Sequence, residues 1–384
     1  MNAKKSHKKV NSEIGRTAIS EFVRMKLWAI SAGRCEICNR LLYSDVHFGV
    51  EGNFGELAHI HAVSVGGPRH KNGMTSEEKN NIENLMLLCG EHHHLIDQNP
   101  EDYSDGLLLR LKRQHESRIR AITEITEDQS CRIITYFSNI DSIEVFSSER
   151  ILREATISAG LFSKQEPIIS LHKDTINRFI PTKEAFENKA SELEYQYKQW
   201  FDSLKEQDTI AVFSLAPQPL LFKLGTLITD QLNVRVFQCH RFGNKWALKD
   251  KAEPVDYIFE KRCFRRDSKK VALVMDLSAP ISDFRIKQAI GEANIYHITI
   301  PSPNRYFVLT QNIQDSFVTM FRNAMEKIKE ENLNCKTIEV FMAMPNSLVI
   351  RAGMDYMPKS DLSLVLYEQA NENDGFIETI TIGG

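Results

Sequence analysis

Residues 84–97 read NLMLLCGEHHHLID, an apolar segment that runs directly into a helix carrying three consecutive histidines. The C-x-x-H motif inside this stretch is preceded, at residues 35–38, by the C-x-x-C motif CEIC. Two pairs of thiolate and imidazole ligands in this arrangement are typical of a closed tetrahedral zinc site. Bound zinc adds folding energy to a small, loop-rich segment that has little core. The sequence therefore predicts a structural zinc ion with four ligands: Cys35, Cys38, Cys89 and His92.

The segment between the two motifs contains ELAHIHAVSVGGPR at residues 56–69. Glycines permit tight turns, so residues 49–69 predict a short β-hairpin. Apolar side chains at helical spacing and strong end signals predict helices on both sides of this hairpin. The first predicted helix covers residues 17–31 and ends at Gly33. The second covers residues 91–99 and ends before a proline. The third covers residues 104–125, with Ser104 as N-cap.

Three side chains of this region suit a hydrolytic reaction that a metal ion assists. The reaction needs a base that activates water and a cation that stabilises the charge of the transition state. A neutral imidazole such as His59 suits the base near pH 7. His93 and Asp97 are four residues apart and therefore share one helix face. An imidazole and a carboxylate with open positions beside them are compatible with Mg²⁺ or Mn²⁺.

Residues 17–120 resemble the HNH, or ββα-metal, nucleases, because His59, Asn84 and His93 occur in the order of that motif within a Cys/His zinc knuckle. The resemblance implies an α+β nuclease domain in which His59 is the general base. It also implies that Asn84 fixes the loop that holds this histidine, and that His93 and Asp97 bind the catalytic metal ion.

The chain departs from this family at one metal ligand. Many members have Asp or His immediately before the base, where this chain has Ala58. Glu56 or His61 could substitute for that ligand, or water could complete the metal shell. His92 and His93 could also exchange roles by one register step.

The helix after the motif carries a cluster of basic residues. Next to a nuclease site such residues contact DNA phosphates, and those contacts carry affinity without sequence information. The alternative is a solvated helix face. The predicted DNA-binding residues are Arg110, Lys112 and Arg113.

The whole chain has 384 residues and a net charge of −3, a length that suits about two or three domains. It contains no apolar run of about eighteen residues, so we expect no membrane span. The basic N-terminus is not followed by an apolar stretch, so we expect no secretory signal. These features predict a cytoplasmic protein whose cysteines outside the zinc set are buried thiols.

Beyond residue 165 apolar strands alternate with helices, a pattern typical of an α/β domain with a mostly parallel sheet. Strand, proline-containing loop and helix recur at SLAPQPL, DLSAPIS and AMPNSL, which indicates a weakly repeated Rossmann-like unit. The predicted strands are residues 209–216, 234–239, 269–278, 294–300, 336–344 and 362–368, with helices at 217–231 and 310–329. We expect a nuclease domain over residues 1–125, a connector over residues 126–164 and a second domain over residues 165–384.

The second domain is similar to the SAVED domain, a sensor built from two fused CARF-like, Rossmann-type units. The segments that carry the similarity are FSLAPQPLLFKLG, VFQCHRFGNKW, ALVMDLSAPIS, IPSPNRYFV and EVFMAMPNSLVIRAG. Joined to an HNH module, it resembles the HNH–SAVED effector endonucleases of CBASS, the cyclic-oligonucleotide-based antiphage signalling systems. This resemblance implies that a cyclic di- or trinucleotide binds the second domain, causes self-association and activates cleavage of double-stranded DNA.

Ligands of α/β sheets bind beyond the carboxyl ends of the strands, which predicts one crevice among the loops that follow them. Trp246 could stack on a base, while Arg241 and Lys245 could contact phosphate. The alternative for Trp246 is core packing. The predicted ligand-binding residues are Ser214, Pro217, Arg241, Lys245, Trp246, Ser278, Asn304 and Pro345.

Two other functions stay open at this point. A restriction-type HNH endonuclease whose C-terminal domain reads modified DNA would cut without any small molecule, although residues 165–384 contain no dense basic or aromatic stripe. A zinc-knuckle interaction module joined to a ligand sensor would not be an enzyme, and its His59 would be dispensable.

Overall fold

The computed structural model describes residues 18–45, 49–138, 147–164, 166–172, 180–201, 209–229, 232–240, 245–249, 251–264, 268–371 and 375–383. The chain forms two compact units, Met1–Glu124 and Ile125–Gly384. Within the described ranges, no helix is both long enough and apolar enough to cross a bilayer.

The N-terminal unit consists of four α-helices around one antiparallel strand pair within the described ranges. Its elements are α1 (Glu21–Ile30), β1 (Gly55–His59), α2 (Ser76–Lys79), β2 (Leu85–Cys89), α3 (Gly90–Gln98) and α4 (Asp105–Thr123). Side-chain oxygens of Ser20, Thr75 and Ser104 accept backbone hydrogen bonds at the starts of α1, α2 and α4. Gly33 has a φ of 61° beyond the end of α1. The three helices that the sequence predicts in this region are confirmed.

The hairpin predicted within residues 49–69 is wrong, because β1 pairs with β2 instead. The antiparallel register runs from Gly55 opposite Cys89 to His59 opposite Leu85. Every residue of β2 is buried, so this strand offers β1 an apolar partner that the loop after β1 lacks. Because α3 follows β2 without a loop, the pair and the helix form a ββα unit.

The C-terminal unit contains two sheets. Its strands are β3 (Ser130–Phe137), β4 (Phe162–Ser163), β5 (Ile169–Ser170), β6 (Thr209–Leu215), β7 (Asn233–His240), β8 (Lys245–Ala247), β9 (Ile258–Cys263), β10 (Val271–Met275), β11 (Asn294–Thr299), β12 (Thr337–Met342), β13 (Ser363–Asn371) and β14 (Gly375–Ile382). Its helices are α5 (Glu149–Ser158), α6 (Lys183–Phe201), α7 (Gln218–Ile228), α8 (Asp283–Ile290), α9 (Gln311–Glu331) and α10 (Asn346–Asp355).

Both sheets have parallel central strands; the second has two antiparallel edges, whereas the first has one antiparallel edge, β8, and one parallel edge, β4. The first runs β4–β3–β6–β7–β8, with β5 also paired to β3, and the second runs β14–β13–β12–β10–β11–β9. Strands β8, β9 and β14 are the antiparallel edges. The six strands and two helices predicted beyond residue 165 are confirmed, and the unit is an α/β fold with mixed sheets.

The connector predicted at residues 126–164 is corrected, because much of it belongs to the first sheet. Strand β3 lies between β4 and β6 and pairs with β6 in parallel, from Cys131 opposite Thr209 to Phe137 opposite Leu215. Helix α5 covers this sheet through Leu152. The partner of β3 is far along the chain, so its central position is set by a non-local pairing.

Helices α7 and α10 pack on each other through two glycines. A Cβ atom on Gly225 would lie 2.2 Å from the carbonyl oxygen of Ile350, and one on Gly353 would be equally close to α7. Pro217 and Pro345 are the N-caps of the two helices, so SLAPQPL and AMPNSL are equivalent strand–helix junctions. One hydrophobic core joins both sheets through this helix pair.

Candidate functional site

Four sulfur and nitrogen atoms converge where β2 meets α3. The ligand atoms of Cys35, Cys38, Cys89 and His92 all lie within 4.8 Å of one another. The Sγ atoms of Cys38 and Cys89 are 3.9 Å apart, and Cys35 Sγ is 3.9 Å from Nδ1 of His92. A tetrahedron with Zn–S bonds of about 2.3 Å has edges of roughly 3.8 Å. The four residues therefore fit a zinc ion.

Local structure explains this convergence. Cys89 is the N-cap of α3, and His92 follows in the first turn of that helix. A tight turn holds the other motif, because Asn39 N donates to the carbonyl of Cys35 at 2.8 Å. His92, rather than His93, thus lies with the cysteines. Across the described ranges, no other group of three or more His, Cys, Asp or Glu residues is arranged to hold an ion.

A cleft of about 490 Å³ opens beside α3. Its polar lining includes Arg24, His59, Ser64, Asn80, His93 and Asp97. The structure thus gathers His59 from the end of β1 with His93 and Asp97 from α3, as the sequence predicts for a hydrolytic site.

The imidazole of His59 is oriented by Asn80, a residue that the sequence analysis missed. Nε2 of His59 lies 3.2 Å from Oδ1 of Asn80. An amide oxygen can only accept, so this contact favours the neutral tautomer with the proton on Nε2 and the basic lone pair on Nδ1. A general base needs such a lone pair. The capping box from Thr75 to Glu78 was the available signal, since it marks a short helix that ends at Asn80.

Asn84 acts on the backbone rather than in the cleft. Its side chain is buried. Its Oδ1 accepts from His61 N at 2.9 Å, and its Nδ2 donates to the carbonyls of His61 at 3.1 Å and Lys79 at 2.9 Å. This bonding fixes the chain immediately after His59, which is the kind of role that the family resemblance implies for Asn84.

His93 and Asp97 turn two ligand atoms towards each other. Nε2 of His93 lies 3.6 Å from Oδ2 of Asp97. Neighbouring ligands of an octahedral ion at about 2.1 Å lie roughly 3 Å apart, so a small side-chain adjustment lets both atoms bind one divalent cation. Two protein ligands with open positions suit an ion that also holds water and a substrate phosphate.

The residues that could replace the ligand missing at Ala58 make other contacts. Ala58 itself is fully buried. Oε2 of Glu56 lies 2.5 Å from Nδ1 of His93. Nδ1 of His61 lies 3.1 Å from the carbonyl oxygen of Arg69.

The DNA-binding prediction for Lys112 is wrong. Only 2% of its side chain is exposed, and Nζ is paired with Glu116 on the same helix. The positive charge also faces Glu36, whose pKa burial raises to about 7 while Lys112 opposes the rise. Arg110 and Arg113 are exposed on α4, so the basic surface that the sequence predicts keeps these two residues.

Four predicted ligand contacts in the C-terminal unit are also corrected, because Ser214, Pro217, Trp246 and Pro345 are buried. Trp246 packs against Phe213 with ring centroids 5.2 Å apart, and its Nε1 donates to Ser147 Oγ at 3.1 Å. The core-packing alternative therefore describes Trp246. Both prolines sit at the buried starts of α7 and α10, where the two sheets join.

The other predicted ligand residues lie at the carboxyl edge of the second sheet or outside the described part. Ser278 and Asn304 are partly exposed. Ser278 N donates to Ala343 O at 2.7 Å, and Asn304 N donates to Leu277 O at 2.9 Å. Arg241 and the side chain of Lys245 lie outside the described residues.

Residues 193–382 match the family of SAVED domains, described as SMODS-associated and fused to various effectors sensor domains. No curated protein sequence matches the chain. The match covers most of the C-terminal unit and none of the N-terminal unit.

Solved structures of SAVED/CARF-domain containing receptors are similar in part. Acinetobacter baumannii Cap4 with the cyclic trinucleotide 2′3′3′-cAAA has 12% identity and a TM-score of 0.43, with 82% of this chain and 68% of that chain covered. The same receptor without a named ligand has 12% identity and a TM-score of 0.41, with 81% of this chain and 66% of that chain covered. Moraxella osloensis Cap4 has 11% identity and a TM-score of 0.40, with 76% of this chain and 60% of that chain covered. The chain spans less than two-thirds of the length of the last two structures.

Proposed function

We propose that the chain is a sensor-controlled nuclease, in which a cyclic di- or trinucleotide bound by the C-terminal unit activates metal-dependent cleavage of double-stranded DNA by the N-terminal unit. The match of residues 193–382 to the SAVED family supports the sensor. The observation that carries the nuclease is the convergence of His59, His93 and Asp97 on one cleft beside the zinc-type cluster. Self-association on ligand binding is part of the proposal.

Topology supports a ligand site at the carboxyl edge of the second sheet. From β10 the chain passes to β11 on one side and then returns to β12 on the other. Such a reversal opens a crevice between the two central strands, where α/β sheets bind ligands. Ser278 follows β10 at this point, and its backbone contacts Ala343 after β12. Ser278 and Asn304 are therefore our candidates for ligand contact.

The chemistry of the nuclease follows from the cleft. His59, with its lone pair on Nδ1, takes a proton from water as that water attacks the phosphorus atom. Asn80 keeps the imidazole in this tautomer, and Asn84 keeps the chain beside it in place. A divalent cation bound by His93 and Asp97 would stabilise negative charge on the phosphate and the leaving oxygen. Exposed Arg110 and Arg113 would hold the DNA backbone.

The test is a plasmid-cleavage assay with Mg²⁺, without ligand and with each member of a panel of cyclic di- and trinucleotides. Cleavage that depends on one nucleotide is the expected result and would identify the activator. Cleavage without any nucleotide would favour the restriction-type alternative, and modified plasmid DNA would then be compared with unmodified DNA. An absence of cleavage with Mg²⁺ or Mn²⁺ under every condition would reject the nuclease.

A further inference from the structure

Glu56 holds His93 from the side opposite the proposed metal ion. Its carboxylate contacts Nδ1 of His93 at 2.5 Å. A carboxylate accepts, so Nδ1 carries the proton, and in the neutral imidazole the lone pair is on Nε2, the atom nearest to Asp97. Metal-binding histidines generally donate their second N–H to such a partner, which fixes the tautomer and raises the basicity of the ligand.

Arg69 holds Asp97 in a comparable way and also ties the cleft together. Its side chain is only 6% exposed. Nε donates to the carbonyl of Ile60 at 2.9 Å, and Nη1 donates to the carbonyls of Ile96 at 2.5 Å and Tyr103 at 3.3 Å. Nη2 reaches Oδ1 of Asp97 at 3.4 Å. One guanidinium thus joins the segment after His59 to the turn of α3 that carries Asp97.

The backbone at Arg69 supports a specific role for its side chain. The residue has a φ of 52°, in the left-handed region where a non-glycine residue is strained. Its carbonyl oxygen also lies 3.1 Å from Nδ1 of His61. Glycine would adopt this conformation without strain, so an arginine here indicates that the guanidinium contributes something that offsets the cost.

We infer that Glu56 and Arg69 are positioning residues of the nuclease cleft, Glu56 by orienting His93 and Arg69 by orienting Asp97 towards one divalent cation. This inference rests on the proposed function and deepens it, because it assigns the two contacts that shape the metal site. Glu56 is thereby an outer partner of a ligand, not a replacement for the ligand missing at Ala58.

The direct test is a titration of the full-length, zinc-loaded protein with Mn²⁺. Electron paramagnetic resonance measures the concentration of the free ion. Glu56→Ala and Arg69→Gly should each weaken Mn²⁺ binding by roughly 10- to 100-fold, the usual effect of losing such an outer partner. Glu56→Gln should fall between Glu56→Ala and wild type, because an amide oxygen still accepts from Nδ1. Asp97→Ala should lose a ligand and bind weakest.

Arg69→Gly removes the side chain without straining the backbone, since glycine fits the left-handed φ. Its effect on Mn²⁺ binding therefore reports the loss of the guanidinium alone. Arg69→Lys keeps the charge but cannot span three carbonyls and a carboxylate, so it should resemble Arg69→Gly. The matched controls are Glu91→Ala and Arg40→Ala. These two residues form a pair exposed by 71% and 46% in the same unit, and their loss should leave Mn²⁺ affinity unchanged. Zinc content and the melting temperature verify that each variant is folded.

The binding readout keeps this inference separate from the nuclease itself. Wild-type Mn²⁺ affinity in folded Glu56→Ala and Arg69→Gly would overturn the inference, even if the protein cuts DNA. The inference would also be overturned if Asp97→Ala bound Mn²⁺ as tightly as the wild-type protein does. Weaker binding in both variants without any DNA cleavage by wild type would support the positioning role and reject the proposed function.

Discussion

His59 depends on polar neighbours for both its tautomer and its position, so its replacement tests the chemistry without disturbing the core. His59→Ala removes the proposed base while the buried residues around β1 stay in place. We expect cleavage to fall by roughly 10²- to 10⁴-fold, the usual contribution of a general base. Initial rates of plasmid cleavage under activating conditions measure this effect.

His94→Ala is the matched control for that variant, because His94 is exposed on α3 and has no role in the proposed site. Its cleavage rate should equal that of wild type. Both variants should keep wild-type zinc content, melting temperature and nucleotide affinity. Unchanged cutting by His59→Ala would reject the assignment of His59 as the general base.

At the scale of residues, the sequence predicts ligands better than it predicts their partners. Cys35, Cys38, Cys89 and His92 are recognisable because short spacing within each pair dictates a shared geometry. The contacts of Asn80 and Arg69 join segments that are distant in sequence, and no local pattern reveals them. The prediction for Lys112 is wrong for the same reason. A charged residue on a helix is expected to face solvent, and only the fold brings Glu36 close enough to help keep Lys112 in the interior.

Helices α7 and α10 are the elements whose packing tolerates least change. Alanine usually stabilises a helix by up to about 1 kcal/mol relative to glycine. At Gly225 the new Cβ would meet backbone atoms of α10 at 2.2 Å, which costs roughly 1–3 kcal/mol as overpacking. The clash therefore outweighs the helix propensity, and Gly225→Ala should lower the free energy of unfolding of the C-terminal unit.

Urea titration of Gly225→Ala measures that change, and Gly106→Ala is its control. Gly106 is in α4, where a Cβ atom would meet nothing within 4 Å, so alanine should be neutral or slightly stabilising. If Gly225→Ala unfolded at the same urea concentration as wild type or at a higher one, the close packing of α7 on α10 would be contradicted.

Helix α6 is tied to α7 by a carboxylate with two lysine partners. Glu194 accepts from Lys198 and Lys223, each at 2.8 Å, and these bonds lower the pKa of Glu194 to about 2. A lowered folded-state pKa gives stability above the unfolded value of 4.5 that is lost as pH falls through 2. Because the side chain is 36% exposed, solvent screening limits this stability to about 1 kcal/mol or less.

Glu194→Gln should therefore unfold at lower urea concentration than wild type at pH 7, and the difference should shrink as pH falls from 4.5 towards 2. Salt should reduce the difference at pH 7, since the pair is partly exposed. Glu187→Gln, at an exposed position on the same helix, serves as the control. A difference that grew at low pH would contradict the sign of this argument.

Among the elements, strands were predictable where an apolar run stands between turn residues, as in β6 and β10. Strand β3 has a similar run, SCRIITYF, yet its place at the centre of a sheet comes from pairing with β6 far along the chain. The pairing of β1 with β2 likewise depends on two segments that are not adjacent. The hydrophobic periodicity of the sequence predicts which segments form strands. Which strands pair depends instead on which apolar faces, distant in sequence, can be buried together.

At the scale of the molecule, each unit has its own source of stability. The N-terminal unit has a small core around Leu27 and Leu87, so a zinc ion at the Cys/His cluster would supply a large part of its folding energy. The C-terminal unit has an extensive core that includes both sheets. A ligand stabilises only the state to which it binds. Zinc and cyclic nucleotide should thus act on different parts of the chain.

This separation predicts that Cys35→Ser lowers the zinc content and unfolds residues 18–124, while residues 125–383 keep wild-type stability. Hydrogen exchange with peptide resolution measures both units in one sample. Cys263→Ser, a substitution of a thiol outside the cluster, should keep wild-type zinc content. The activating nucleotide at a hundredfold excess over its Kd should stabilise the C-terminal peptides by about 2.7 kcal/mol. Normal zinc content and normal exchange in Cys35→Ser would reject the knuckle. Nucleotide protection confined to residues 18–124 would reject the sensor, because a ligand bound by the C-terminal unit must protect that unit.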